Sequence, residues 1–168
     1  MDPPINVHVN RHDPALDREA ALIKRRIPAT KNFIKQNKIN KVIFNPEKKT
    51  LGIIAVGKAA TETIDAFDCI GIKNPGNIGI GFFACKIPWP LIDEEIIDFC
   101  DQFEEILVVE EKGGIVEEQV AHILFNFKFR PLLSGKFDAT TKEELIPNVS
   151  ELSSCLLYTS DAADDSIR

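Results

Sequence analysis

The run Glu104-Glu105-Ile106-Leu107-Val108-Val109-Glu110-Glu111-Lys112 constrains the fold more than any other stretch of the chain. Its apolar centre is four residues long, and Ile106, Val108 and Val109 are β-branched. A short, unbroken apolar run of this kind reads as a strand buried on both faces. Such strands belong to parallel sheets with helices on both sides. The charges resume where the run ends, so Glu110, Glu111 and Lys112 are expected at the strand's carboxyl edge. That edge is where open α/β sheets gather their chemistry.

The flanking sequence supplies the rest of such a sheet. Lys41-Val42-Ile43-Phe44 reads as a short strand ended by Asn45-Pro46, and Lys48-Lys49 turns into a more buried strand, Leu51-Gly52-Ile53-Ile54-Ala55-Val56. The link is too short for a crossover helix, so these two cannot be parallel neighbours. The first is expected to be antiparallel and near an edge. Gly57-Lys58 opens a helix to about Ile70, with Ala60, Ile64, Phe67 and Ile70 as its apolar face. The turn Lys73-Asn74-Pro75-Gly76 leads into a third strand over 77–84, in which Gly79 and Gly81 permit close backbone approach. A helix starting at Asp93 buries Ile92, Ile96, Phe99 and Phe103. Another, from Ile115 to about Phe127, buries Val116, Val120, Ile123, Leu124 and Phe127, and 130–134 forms the last strand. The order predicts an α/β fold on a mixed five-stranded sheet.

Before the sheet, residues 1–15 carry Pro3, Pro4 and Pro14 and read as an extended arm. Asp13 suits a helix cap with Pro14 at the first helical position. The helix then runs to about Arg26, is interrupted or restarted at Ile27-Pro28, and continues over 29–37 with Phe33 and Ile34 on one side. Lys24, Arg25, Arg26, Lys31, Lys35 and Lys38 make this the one basic region. It reads either as a docking face for an acidic partner or as a solvated helix surface. The expected division is 1–38 as arm and helical linker, 39–154 as the α/β domain, and 155–168 as a foreign tail.

Composition narrows the function. A net charge of −6 disfavours nucleic acid as a partner, because no basic stripe is available for phosphates. No apolar run approaches the roughly 20 residues that span a bilayer. The start, Met1-Asp2-Pro3-Pro4, does not resemble a signal peptide. Cys69, Cys85, Cys100 and Cys155 form no CxxC pair or zinc spacing and read as free thiols in a reducing cytoplasm. Residues 93–118 hold eleven carboxylates and one Lys, spread over two helices and a strand. Metal-binding carboxylates must converge, so these read as a solvated acidic face. His122 has no partner at ligand spacing and reads as a surface or packing residue.

Two stretches are candidate sites. Gly57-Lys58 follows a strand and opens a helix, the place where phosphates bind, but neither the P-loop nor the GxGxxG pattern is present. It is carried as a phosphate, nucleotide or CoA candidate against the plainer reading of a tight turn. Pro88-Trp89-Pro90 sets the only Trp between two prolines at a carboxyl strand edge. It reads either as a rigid contact surface or as a roof over the local core. With Glu110, Glu111 and Lys112 it forms the expected interface rim.

The tail Cys155-Leu-Leu-Tyr-Thr-Ser-Asp-Ala-Ala-Asp-Asp-Ser-Ile-Arg168 follows no turn logic and continues no periodicity. It resembles the conceptual translation of a transposon sequencing adapter. The native frame is then expected to continue past Ser154.

Four motifs, in order, resemble one family. Leu51-Gly-Ile-Ile-Ala-Val-Gly-Lys58 is similar to the "LGI(V/I)(T/A)SGK" strand-turn of the fused indolepyruvate ferredoxin oxidoreductases. Ile87-Pro-Trp-Pro-Leu91 resembles their "(M/I)(P/T)(W/Y)PL" loop. Phe103-Glu-Glu-Ile-Leu-Val-Val-Glu-Glu-Lys112 resembles "LEE(I/V)LVVEEK", and Arg130-Pro-Leu-Leu-Ser-Gly-Lys-Phe-Asp138 resembles "RP.(V/I).GK.D". The span is roughly residues 10–152. Val56 stands where the family usually has Ser, and Gly113-Gly114 where it has larger residues.

The resemblance implies a three-layer α/β/α module of transketolase C-terminal-like, Rossmann-like type, with strand order 1-3-2-4-5 and strand 1 antiparallel. It implies a large cytoplasmic, homo-oligomeric enzyme. That enzyme decarboxylates arylpyruvates on thiamine diphosphate, passes electrons through [4Fe-4S] clusters to ferredoxin, and releases an aryl-acetyl-CoA. Thiamine and cluster motifs are absent from this chain, so the segment is expected to be a structural module whose partners are the enzyme's remaining domains. Two alternatives stand beside this one. The first is the same module in a 2-oxoglutarate or pyruvate ferredoxin oxidoreductase α-chain. The second is a stand-alone α/β module binding a nucleotide or CoA.

Overall fold

A computed structural model describes residues 12–149. The sequence readings that fall on 1–11 and 150–168, including most of the N-terminal arm and the whole foreign tail, lie outside the described residues. The chain divides between Lys38 and Ile39 into two compact units.

The first unit is helical. Helix α1 (Ala15–Ala21) runs through a π-helical stretch (Leu22–Arg26) into α2 (Ile27–Asn37). The expected cap is displaced: Pro14 itself is the N-cap, with extended backbone and no side-chain cap bond, and the helix begins after it. Ile27-Pro28 does not end the helix: the backbone stays helical through Arg26, and the π-helical stretch immediately before Ile27-Pro28 marks where the regular helix is interrupted. Phe33 and Ile34 were expected together, yet Ile34 is fully buried and Phe33 is 59% exposed. Adjacent helical residues point about 100° apart, so only one can face inward. Lys38 ends the helix in the left-handed region (φ 46°).

The second unit is the α/β sheet. Its elements are β1 (Lys41–Phe44), β2 (Leu51–Val56), α3 (Lys58–Cys69), a 3-10 turn (Pro75–Ile78), β3 (Ile80–Cys85), α4 (Asp93–Cys100), β4 (Glu105–Val109), α5 (Ile115–Leu124) and β5 (Leu132–Ser134). The order is β1-β3-β2-β4-β5, with β1 antiparallel to β3 and every other pair parallel. A register shift between Val42 and Phe44 makes Ile43 a bulge residue on the edge strand.

β4 pairs with β2 on one side and β5 on the other, which accounts for its unbroken apolar run. One sheet face packs under α4 and α5 through Ile54, Phe83, Ile96, Phe99, Phe103, Ile106, Val116 and Val120. The other packs under α3 and the returning segment at Ile146, through Ile53, Ala55, Ala59, Phe67 and Phe82. Phe103 lies against the sheet at Gly81, where an added Cβ would run into the ring. Any larger residue there would displace the ring.

The third strand and helix α3 differ from the sequence reading. The third strand starts at Ile80, not 77, because Pro75 nucleates a 3-10 turn and the Gly79 carbonyl is taken by the amides of Thr50 and Leu51. Helix α3 buries Ala59, Thr63 and Phe67, while Ile64 and Ile70 are exposed. The inward face is therefore about one residue out of step with the most apolar one. Thr63 tolerates burial because its hydroxyl donates to the Ala59 carbonyl at 2.7 Å.

Candidate functional site

The carboxyl ends of the parallel strands bring together Gly57-Lys58, Cys85-Lys86, Glu110-Glu111-Lys112 and Ser134-Gly135-Lys136. Helix α3 leaves β2 toward one face and α5 leaves β4 toward the other. The crevice between β2 and β4 is therefore the switch point at which open α/β sheets hold ligands.

Here that crevice is occupied by the protein's own groups. Gly57 turns the chain at φ 57°. Lys58 Nζ then lies 3.7 Å from Glu111 Oε1 and 3.8 Å from Glu62 Oε1. Two carboxylates thus stand beside the ammonium at the α3 N-terminus.

Glu110 is 4% exposed. Its carboxylate accepts the amides of Val116 (3.0 Å) and Glu117 (2.9 Å), so it caps α5 from the preceding strand. Lys136, also 4% exposed, donates Nζ to the carbonyls of Glu110 (2.5 Å) and Pro147 (3.4 Å). Burial pushes its pKa down, and Glu110 and Glu117 oppose that shift. Glu117 in turn accepts the Lys136 amide at 2.9 Å.

The aromatic loop is held from behind. Gln119 of α5 donates Nε2 to the Pro88 carbonyl (2.8 Å) and to Ile115 (2.9 Å), and its Oε1 accepts the Leu91 amide (3.1 Å). The Trp89-Pro90 peptide is cis. Asn40, ahead of β1, accepts the amides of Lys86 (3.0 Å) and Ile87 (3.3 Å) and so fixes the other end of the loop.

The expected rim is accordingly only partly a surface. Pro88, Trp89 and Lys112 are exposed and Glu111 is half-buried, whereas Pro90 and Glu110 are buried. Glu110 is withdrawn because two helix amides need an acceptor. Ile115, which the sequence reading names only as the start of its helix, is 58% exposed beside the loop. Gln119 and Asn40 gave no signal in the sequence, whereas Lys136 lay inside a matching motif.

The cysteines among the described residues do not form a set suited to an iron–sulfur cluster. Burial pushes the Cys85 and Cys100 thiols up to about 12, so both keep their protons. Cys69 is exposed and, among the described residues, no His, Cys, Asp or Glu group could hold a metal ion. No helix of the described residues is long and apolar enough to cross a membrane. A separate cleft of about 380 Å³ opens between α3 and Leu145-Ile146. Its lining side chains are apolar apart from Thr63, whose hydroxyl donates to the Ala59 carbonyl.

Among known proteins, indolepyruvate oxidoreductase subunit IorA of Methanothermobacter marburgensis is 28% identical over 107 residues. That alignment covers 64% of this chain and 16% of the relative, so the chain spans about a sixth of the relative's length. Two solved structures are similar at 14% identity. A split-gene transketolase, described as an inactive β4 tetramer, has a TM-score of 0.48 and covers 77% of this chain and 42% of its own. A 2-oxoglutarate:ferredoxin oxidoreductase from Magnetococcus marinus has a TM-score of 0.46, covering 85% and 23%. The indolepyruvate oxidoreductase domain matches residues 41–160, from the first strand of the sheet onward, and the chain belongs to that family.

Proposed function

We propose that this chain is a structural module of a thiamine-dependent 2-oxoacid:ferredoxin oxidoreductase acting on an arylpyruvate. The module positions other domains and has no catalytic residues of its own. The observation that supports this most is the filled switch point. At the edge where such a sheet would take a ligand, Lys58 is paired with Glu111, and Glu110 and Lys136 are buried in contacts with the protein's own backbone. Thiamine diphosphate, [4Fe-4S] clusters, CoA and ferredoxin would belong to other parts of the complete enzyme. Family membership supports the reaction class. The arylpyruvate preference rests on the motif resemblance.

Trp89, with its neighbours Pro88, Glu111 and Lys112, is the contact surface of this reading. In the complete enzyme, Trp89→Ala is expected to weaken assembly while ferredoxin reduction per assembled active site stays near the parent value. Full assembly with a large loss of turnover would overturn the structural role.

A further inference from the structure

Residues 86–91 connect β3 to α4, and among the described residues they make no backbone–backbone hydrogen bond. Side chains from other parts of the sheet unit take that place. Asn40 accepts the Lys86 and Ile87 amides, and the Cys85 thiol donates to the Ile87 carbonyl at 3.3 Å. These bonds fix the start of the loop. Beyond Ile87 a single side chain supplies the hydrogen bonds. Gln119 donates to the Pro88 carbonyl and accepts the Leu91 amide, so its two bonds bracket Trp89 in the chain. A third bond, to the Ile115 carbonyl one turn back, ties the amide to its own helix. Leu91 is buried, whereas Trp89 is 53% exposed. The loop therefore turns an aromatic ring outward from a backbone clamped to α5.

The clamp needs a donor and an acceptor on one planar group of this length. The Gln amide carries both. An ionised Glu of the same shape only accepts, and would set its oxygens against the Pro88 and Ile115 carbonyls. Met has a similar length and neither strong group.

We propose that Gln119 is a positioning residue for assembly. It holds the Trp89 backbone in the conformation that the neighbouring domain receives, and acts on that domain only through Trp89. The inference rests on Trp89 being a contact residue of the complete enzyme. A loop already ordered loses less conformational freedom on binding, so the clamp raises affinity without adding contact area.

The test pairs the 168-residue chain with the complete enzyme. In the chain, Trp89 is the single Trp, and Gln119→Glu is expected to lower its fluorescence anisotropy and raise its quenching by acrylamide. Gln119→Met should do the same, which separates loss of the clamp from the added negative charge and serves alone if the Glu variant does not fold. Far-UV circular dichroism checks that each variant keeps its fold. In the complete enzyme, either substitution is expected to weaken assembly about tenfold. Added to Trp89→Ala, it should weaken assembly no further.

Unchanged Trp89 anisotropy and quenching in the variants would overturn the clamp. A loss of assembly that persists in full in the Trp89→Ala background would make Gln119 a contact in its own right and overturn the positioning role. Neither result touches the contact reading of Trp89, which stands on Trp89→Ala alone. If the variants loosen Trp89 but Trp89→Ala assembles like the parent, the contact reading falls and this inference falls with it.

Discussion

Lys136 Nζ donates to the main-chain carbonyl of Glu110, while the Glu110 carboxylate turns away onto the first amides of α5. One buried residue is thus gripped at its backbone by β5's exit and at its side chain by the next helix. The pair joins β4, β5 and α5 at the sheet edge.

Breaking either grip leaves buried groups without partners. Glu110→Ala strands two helix amides and should cost about 1–3 kcal/mol, with Glu110→Gln recovering part of it. Lys136→Met keeps most of the side-chain length but removes the donor to the Glu110 and Pro147 carbonyls, and should cost a similar amount. Urea unfolding of the three variants measures this. Full stability in both Glu110→Ala and Lys136→Met would show that the network is ornamental.

Phe103 connects the α4 side to the sheet. It is fully buried, touches Phe99 at a ring distance of 5.3 Å, lies against Gly81, and carries Lys49 Nζ 5.1 Å from its centroid. Phe103→Ala should destabilise the domain by about 3–5 kcal/mol, since the rigid sheet cannot collapse into the space. Gly81→Ala should also destabilise by pushing the ring. Combining it with Phe103→Leu should cost less than the sum of the two. Strict additivity in a double-mutant cycle would contradict the contact.

The two buried thiols give a pH dependence with a definite sign. Each has its pKa raised from 9.0 to about 12, chiefly by burial. The folded state therefore holds these protons more tightly than the unfolded chain. Their contribution to stability is complete below pH 9 and is lost as pH rises toward 12. The loss is about 1.4 kcal/mol per pH unit for each thiol over that window. Cys100→Ala should be less stable than the parent at pH 7 but should decline less steeply above pH 9. In a Cys155→Ser background at pH 8, a thiol reagent should modify Cys69 quickly and spare Cys85 and Cys100 until urea is added. Rapid native-state labelling of all three would refute the burial assignment.

Much of the fold was legible because it follows from local rules. The β4 run, the short β1–β2 link and the glycine after β2 each permit few alternatives, and the mixed five-stranded sheet follows from them. Strand order 1-3-2-4-5 needed the family motifs, because pairing between distant strands leaves no periodic mark in the chain. Helix α3 was read one residue out of step, since apolar character favoured Ile64 and Ile70 while backbone geometry turned Ala59 and Thr63 inward. At the candidate site, a carboxylate at a strand end looked like a surface group. The two amides that draw Glu110 inside belong to the next helix and are invisible until that helix is in place.

The sequence by itself determined the element types, the burial of β4, the gathering of charge at the strand ends and the family. Hydrophobic period and turn chemistry are local properties, carried by neighbouring residues. Tertiary structure alone decided which of those charges remain available. Lys58 is matched to Glu111, Glu110 to α5, Lys136 to the Glu110 backbone, and Gln119 to the Trp89 loop. Each of these pairs joins residues from different elements. Their partnership depends on distance in three dimensions and on the cost of leaving a buried polar group unpaired.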